Sequence, residues 1–106
     1  KADVKFNAYS SSARFCIDRK LRLPDALTWA EKSVSMEKKY WNTYTLGLAR
    51  AANGKYKEAI EAANMSIELA QAEKDAAYVK MNRERIEEWT KAMTATPQKA
   101  GEKPKK

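Results

Sequence analysis

Tyr40–Leu69, YWNTYTLGLARAANGKYKEAIEAANMSIEL, reads as two amphipathic helices joined by a glycine turn. The first of the pair runs from Tyr40 to Ala52 and stops at Asn53-Gly54, where glycine supplies the left-handed backbone that a helix end wants. The second runs from Tyr56 to Ala72, with Ala59, Ile60, Ala63, Ile67 and Leu69 on its inward face. A weaker copy of this second helix lies 33 residues upstream, where PDALTWAEKSVSM (Pro24–Met36) aligns with KEAIEAANMSIEL (Lys57–Leu69). Ala26 matches Ala59, Leu27 matches Ile60, Ala30 matches Ala63, Ser33 matches Ser66, Val34 matches Ile67 and Met36 matches Leu69. A period near 34 residues with helix–turn–helix content marks a stacked helical repeat, in which each unit buries its apolar face on its neighbour.

The flanking sequence extends the pattern. From Val4 to Lys20, Tyr9, Ala13, Cys16 and Ile17 form one apolar face beside the small residues Ser10, Ser11 and Ser12. Leu21–Leu23 reads as a connector, and Pro24 opens the next helix, where its missing N–H costs nothing. Ala26, Ala30, Ser33 and Val34 face a partner helix, and Lys38 and Lys39 sit near the end, where cations suit the helix dipole. Lys74-Asp75 breaks the fourth helix, and Asp75 is set to cap the fifth. That fifth helix, Ala76–Met93, has one narrow stripe of Val79, Asn82, Ile86, Trp89 and Met93, with charged residues elsewhere, as suits the polar end of a stack. The expected fold is all-α: a short right-handed helical-hairpin solenoid of about two repeats plus a capping helix over residues 1–93. A disordered basic tail is expected over residues 94–106, which hold Pro97, Gly101, Pro104 and no apolar periodicity.

Composition narrows the function. The chain of 106 residues allows one domain. It has one cysteine and no histidine, so an internal disulfide, the usual zinc sites and any imidazole-based triad are excluded. Cys16, on the apolar face, reads as core. Glu84, Glu87 and Glu88 lie among Arg83, Arg85 and Lys91 and read as a solvated face rather than paired acids. No catalytic residue, cofactor or metal ligand is assigned. The net charge is +7, of which the tail contributes +3. Its lysines carry no interleaved aromatics for stacking on bases and no amphipathic pattern for lipid, so nucleic acid or an anionic surface is a weak alternative. No apolar run approaches the length of a membrane span. The chain starts at Lys1 without a methionine, which points to a fragment or a processed product.

LGLARAANGKYKEAI (Leu46–Ile60) resembles the tetratricopeptide repeat. The family's small positions match at Gly47 and Ala59, its turn glycine at Gly54, the tyrosine after the turn at Tyr56, and its late alanine becomes Ser66. In the first repeat the turn glycine is replaced by Leu21, Arg14 falls near the first small position, and the family's terminal proline is missing, with Gln71 in its place. The resemblance implies a concave groove lined by the first helix of each pair. It places Trp41, Tyr44, Thr45, Leu48 and Ala52 there in the second repeat, and Ser11, Phe15, Asp18 and Arg19 in the first. Some such grooves clamp a C-terminal carboxylate through an asparagine after the Leu-Gly pair; Leu48 stands there, which argues against a clamp.

A longer stretch, ARFCIDRKLRLPDALTWAEKSVSMEKKYWNTYTLGLARAANGKYKEAI followed by YVKMNRERIEEW, resembles the C-terminal helical region of a family of exported, uncharacterised bacterial proteins with a β-rich domain upstream. That resemblance implies a periplasmic or secreted setting; from the residues alone a cytoplasmic one stays open.

The function expected is a non-catalytic protein-interaction or scaffolding module. Its partner would be a protein or peptide, and Phe15, Trp41, Tyr44, Thr45 and Leu48 its groove contacts, since exposed aromatic and aliphatic clusters make natural hot spots. The competing reading is that Trp41 and Tyr44 pack between helices, as buried aromatics do in small cores. The chain would then be a structural appendage on its own upstream domain. Two repeats and a cap are near the lower limit for a stable stack, so the chain is expected to lean on that upstream domain or to self-associate weakly through its uncapped first hairpin.

Overall fold

The computed structural model describes residues 2–95, and all the regular structure among them is helical. Helices α1 (Ala2–Arg19) and α2 (Leu23–Met36) form one hairpin, α3 (Tyr40–Ala52) and α4 (Tyr56–Ala72) a second, and α5 (Ala76–Ala95) follows. Each helix packs on the next in chain order, and α1 and α5 each also lie against α3 with no close backbone approach to one another. This is an all-α helical-hairpin solenoid closed by a fifth helix. No helix among the described residues is long and apolar enough to cross a membrane. Thr94 and Ala95, read from sequence as the start of a disordered tail, belong to α5; the rest of that tail lies outside the described residues.

Three of the helix ends share one geometry. After α3, Gly54 takes φ 79° and its N–H donates to the Ala51 carbonyl at 2.9 Å, while Lys55 N–H reaches back to Arg50 at 2.8 Å. The six-to-one and five-to-two bonds together satisfy the carbonyls that a helix end otherwise leaves unpaired. After α1, Lys20 (φ 56°) donates to Ile17 and Leu21 to Cys16; after α4, Lys74 (φ 60°) donates to Gln71 and Asp75 to Ala70. The counterpart of Gly54 in the first hairpin is therefore Lys20, and not Leu21. Likewise Gly47 corresponds to the fully buried Ala13, and not to Arg14. The first helices of the two hairpins are offset by 34 residues and the second helices by 33, because the first turn holds one residue more.

Small side chains carry the core. Ala13, Ala26, Ala30, Ala49, Ala59, Ala62, Ala63 and Ala70 are all buried, whereas Ile60, Ile67 and Leu69 are only half-buried at the flanks. Helices faced with alanine approach closely and gain their stability from dense contact rather than from large apolar side chains. Larger buried side chains are few (Phe6, Tyr44, Leu46, Leu48 and Trp89), and Trp89 of α5 sits over Gly47, where an added Cβ would lie 3.2 Å from the indole and 3.3 Å from the Ala59 carbonyl. The central helix α3 is buried from Asn42 through Ala49 without a break, because other helices lie all round it.

Two buried polar pairs tie successive hairpins. Ser33 Oγ donates to the Phe6 carbonyl at 2.6 Å and accepts from Asn42 Nδ2 at 3.1 Å. One repeat on, Ser66 Oγ donates to the Tyr40 carbonyl at 2.7 Å and accepts from Asn82 Nδ2 at 2.8 Å. The second acceptor differs between the copies. Asn42 lies in the first turn of α3, so its Oδ1 accepts the free Lys39 N–H at 2.8 Å. Asn82 lies one turn deeper in α5, where every nearby N–H is already spent within the helix, and its Oδ1 has no partner. Lys39, read from sequence as part of the end of α2, in fact precedes α3; α2 stops at Met36. Asp75 caps α5 as expected, accepting the Tyr78 N–H at 3.1 Å.

Candidate binding cleft

Because α1 and α5 both rest on α3 but stand apart, a cleft of about 450 Å³ opens between them. Its floor is Leu48, Ala51 and Trp89, its near wall Arg14, Ile17 and Asp18 from α1, its far wall Arg85, Glu88 and Ala92 from α5, and Tyr56 and Leu23 close one end. Opposite charges stand paired on each wall: Arg14 Nε lies 3.2 Å from Asp18, and Arg85 Nη1 lies 3.2 Å from Glu88. Both carboxylates are exposed and both arginines half-exposed, and such ion pairs contribute only about 0.3–0.5 kcal/mol, so an incoming polar group exchanges with either carboxylate at little cost.

Tyr44 sits beside the floor and joins the two walls. It is 3 % exposed, its ring meets Tyr78 edge-on at 5.5 Å, and the Arg14 guanidinium lies 5.9 Å from its centroid. Arg85 Nε donates to the Tyr44 hydroxyl at 3.1 Å. That hydrogen bond holds the Arg85 guanidinium above its ordinary pKa, against a partial burial that acts the other way. Tyr44 thus fixes the rotamer of a wall residue.

The five residues singled out from sequence do not share one surface. Leu48 lines the cleft and Tyr44 underlies it. Thr45 is buried, its hydroxyl donating to the Trp41 carbonyl at 3.1 Å. Trp41 is half-buried in a separate cleft of about 320 Å³ with Lys38, Lys39, Leu69 and Glu73. There it meets Tyr40 edge-on at 5.3 Å, and its indole N–H points to Asn7 Oδ1 at 3.4 Å. Phe15 is 53 % exposed outside the cleft, in a shallow depression with Ser11, Ser12, Cys16 and Trp29. Arg14, Arg85, Glu88 and Trp89 line the cleft without having been assigned to it. Arg85 and Glu88 read as part of a solvated face, and the 71-residue separation of Arg14 from Arg85 leaves no local pattern to join them. Tyr56, marked from sequence only as the tyrosine after the turn, closes the cleft end.

Comparison of the chain with protein-family models, with curated proteins and with solved structures found no match.

Proposed function

We propose that the chain is a protein-interaction module of the tetratricopeptide-like kind, which holds the cleft between α1 and α5 open for a segment of another protein. The observation that supports this reading is the cleft itself: an apolar and aromatic floor between two walls of weakly paired charges, held on three rigid helices. A floor of this kind takes up apolar side chains, while the wall charges reward polar groups at the edges and set orientation. No step of covalent chemistry is assigned to it. The periplasmic or secreted setting implied by the second resemblance remains part of the proposal. The occupant would then be another envelope or secreted protein, or the β-rich domain expected upstream.

Site-specific photocross-linking in the source cell tests this. A photoreactive residue at Ala92, in the cleft, is expected to yield a discrete adduct with a protein, while the same residue at Glu68, on the exposed face of α4, yields none. An adduct from both positions, or from neither, would sink the cleft reading. An adduct that disappears with nuclease or with raised salt would instead favour the charge-driven alternative.

A further inference from the structure

The repeat geometry itself marks a second surface. On α3, Asn42, Leu46, Ala49 and Asn53 form the stripe that receives α2: Asn42 bonds Ser33, Asn53 Nδ2 donates to the Leu23 carbonyl at 2.9 Å, and Leu46 and Ala49 share a core cluster with Ala26 and Ala30. On α5 the corresponding positions Asn82, Ile86 and Trp89 receive α4 through Ser66, Ala59 and Ala63, while the last, Met93, is exposed. The 34-residue offset carries the stripe of α3 back onto Ala8, Ser12, Phe15 and Arg19 of α1. All four are exposed, and no helix among the described residues lies on them.

This stripe departs from its two counterparts in ways that specify what it fits. Where α3 has Ala49, α1 has Phe15; together with half-buried Trp29 it forms the sides of a depression of about 370 Å³ floored by Cys16, Ser11 and Ser12. An alanine-faced helix such as α2 would be held off by the two rings, whereas one large aliphatic side chain enters between them. A cation stands at each end of the stripe, Lys5 one turn before Ala8 and Arg19 one turn after Phe15. The Arg19 guanidinium lies 4.1 Å from the Phe15 ring centroid, and neither cation makes an ion pair among the described residues. We propose that this face of α1 docks an amphipathic α-helix of a partner protein, laid on it as α2 lies on α3, with a leucine, isoleucine or methionine seated between Phe15 and Trp29 and acidic residues beside its apolar stripe.

The face is distinct from the cleft, so the two proposals stand or fall separately. The test is selection from a displayed library of amphipathic helical peptides, randomised at the stripe and at the flanking positions, against the full chain. Enriched peptides are expected to share a large aliphatic residue on the stripe and Asp or Glu beside it. They should lose about tenfold or more in affinity for Phe15→Ser. The double variant Lys5→Glu with Arg19→Glu should shift the selection to Lys- or Arg-flanked peptides. All substituted side chains are exposed, so each variant is expected to keep the wild-type thermal melt. Enriched peptides without acidic flanks, or equal affinity for Phe15→Ser, would overturn the proposal. So would sedimentation of the wild type as a dimer that Phe15→Ser dissociates, because the face would then belong to a second copy of the chain.

Discussion

Three helices end on the same pair of hydrogen bonds, yet only one of the three left-handed residues is a glycine. Lys20 and Lys74 hold φ 56° and 60°, where the Cβ crowds the following carbonyl and costs about 1–2 kcal/mol. Lys20→Gly and Lys74→Gly are each expected to stabilise the fold by about 1 kcal/mol, less what glycine loses in the unfolded chain. The two sites lie at different turns and should add. Urea unfolding measures the gain, and a loss of stability in either variant would mean that the lysine stem makes a contact worth more than the strain. A second residue-scale expectation concerns Tyr40. Hydrogen bonding to the Asp75 carboxylate holds its phenol above the ordinary value, so the folded state binds that proton more tightly than the unfolded chain does. The contribution to stability is complete below the unfolded pKa near 10 and is lost as pH rises through the higher folded value. In Asp75→Asn, which keeps a residue able to cap α5, one tyrosine should ionise at lower pH than in the wild type, as followed by tyrosinate absorption. Superimposable titrations would show that the carboxylate does not hold the phenol.

At the scale of the helix, the contact of α5 with the rest depends on the absence of a side chain at Gly47. An alanine there meets the Trp89 indole at 3.2 Å and the Ala59 carbonyl at 3.3 Å, and the gain in helix propensity, about 1 kcal/mol, opposes the crowding. Gly47→Ala is therefore expected to be near neutral. Gly47→Val, which pushes branched methyls into the same space, should cost about 1–3 kcal/mol and raise Trp89 accessibility to fluorescence quenchers. The helices themselves were legible: apolar periodicity, Asn53-Gly54, Pro24 and Asp75 placed all five to within a few residues. The Ser33–Ser66 match was visible too, since both serines lie in helices with the same 33-residue offset. The counterpart of Gly54 was not, because the first turn holds one residue more and a second left-handed residue at Arg22 (φ 47°), and nothing in the side chain of Lys20 announces a left-handed residue. The cleft was legible only in part. Tyr44 and Leu48 could be found as an aromatic and an aliphatic residue on one helix, but the burial of Tyr44 needs Tyr78 and Arg85, brought over it by a helix that is remote in the chain. A count of charges on α5 reads Arg85 as solvated, and only the three-dimensional stack shows the hydroxyl it bonds.

Across the whole molecule, α3 is the one helix that touches all four others. Stability in a stack is a sum of unit and neighbour terms, and α3 participates in more of the neighbour terms than any other unit. Amide hydrogen exchange should therefore be slowest from Thr43 to Ala49 and set the global limit, with α1 and α5 opening at lower free energy. Equal protection across the five helices would mean instead that the stack opens as one unit. The buried serine–asparagine pairs bear on a different property of the same stack. Faces made of alanine are smooth, and a smooth helix can slide along its neighbour by one turn and meet much the same methyl groups. A slip of α2 on α3 by one turn, about 5.4 Å, would carry Ser33 away from Asn42 and break the bond between them, leaving Ser33 with the Phe6 carbonyl and Asn42 with Glu37 and Lys39. Each broken bond costs about 0.5–1.5 kcal/mol, and the same loss recurs between Ser66 and Asn82 for α4 on α5. Two hydroxyl–amide detents thus give a low-relief surface a single resting phase, and that phase sets both the width of the cleft and the spacing of the side chains along its walls.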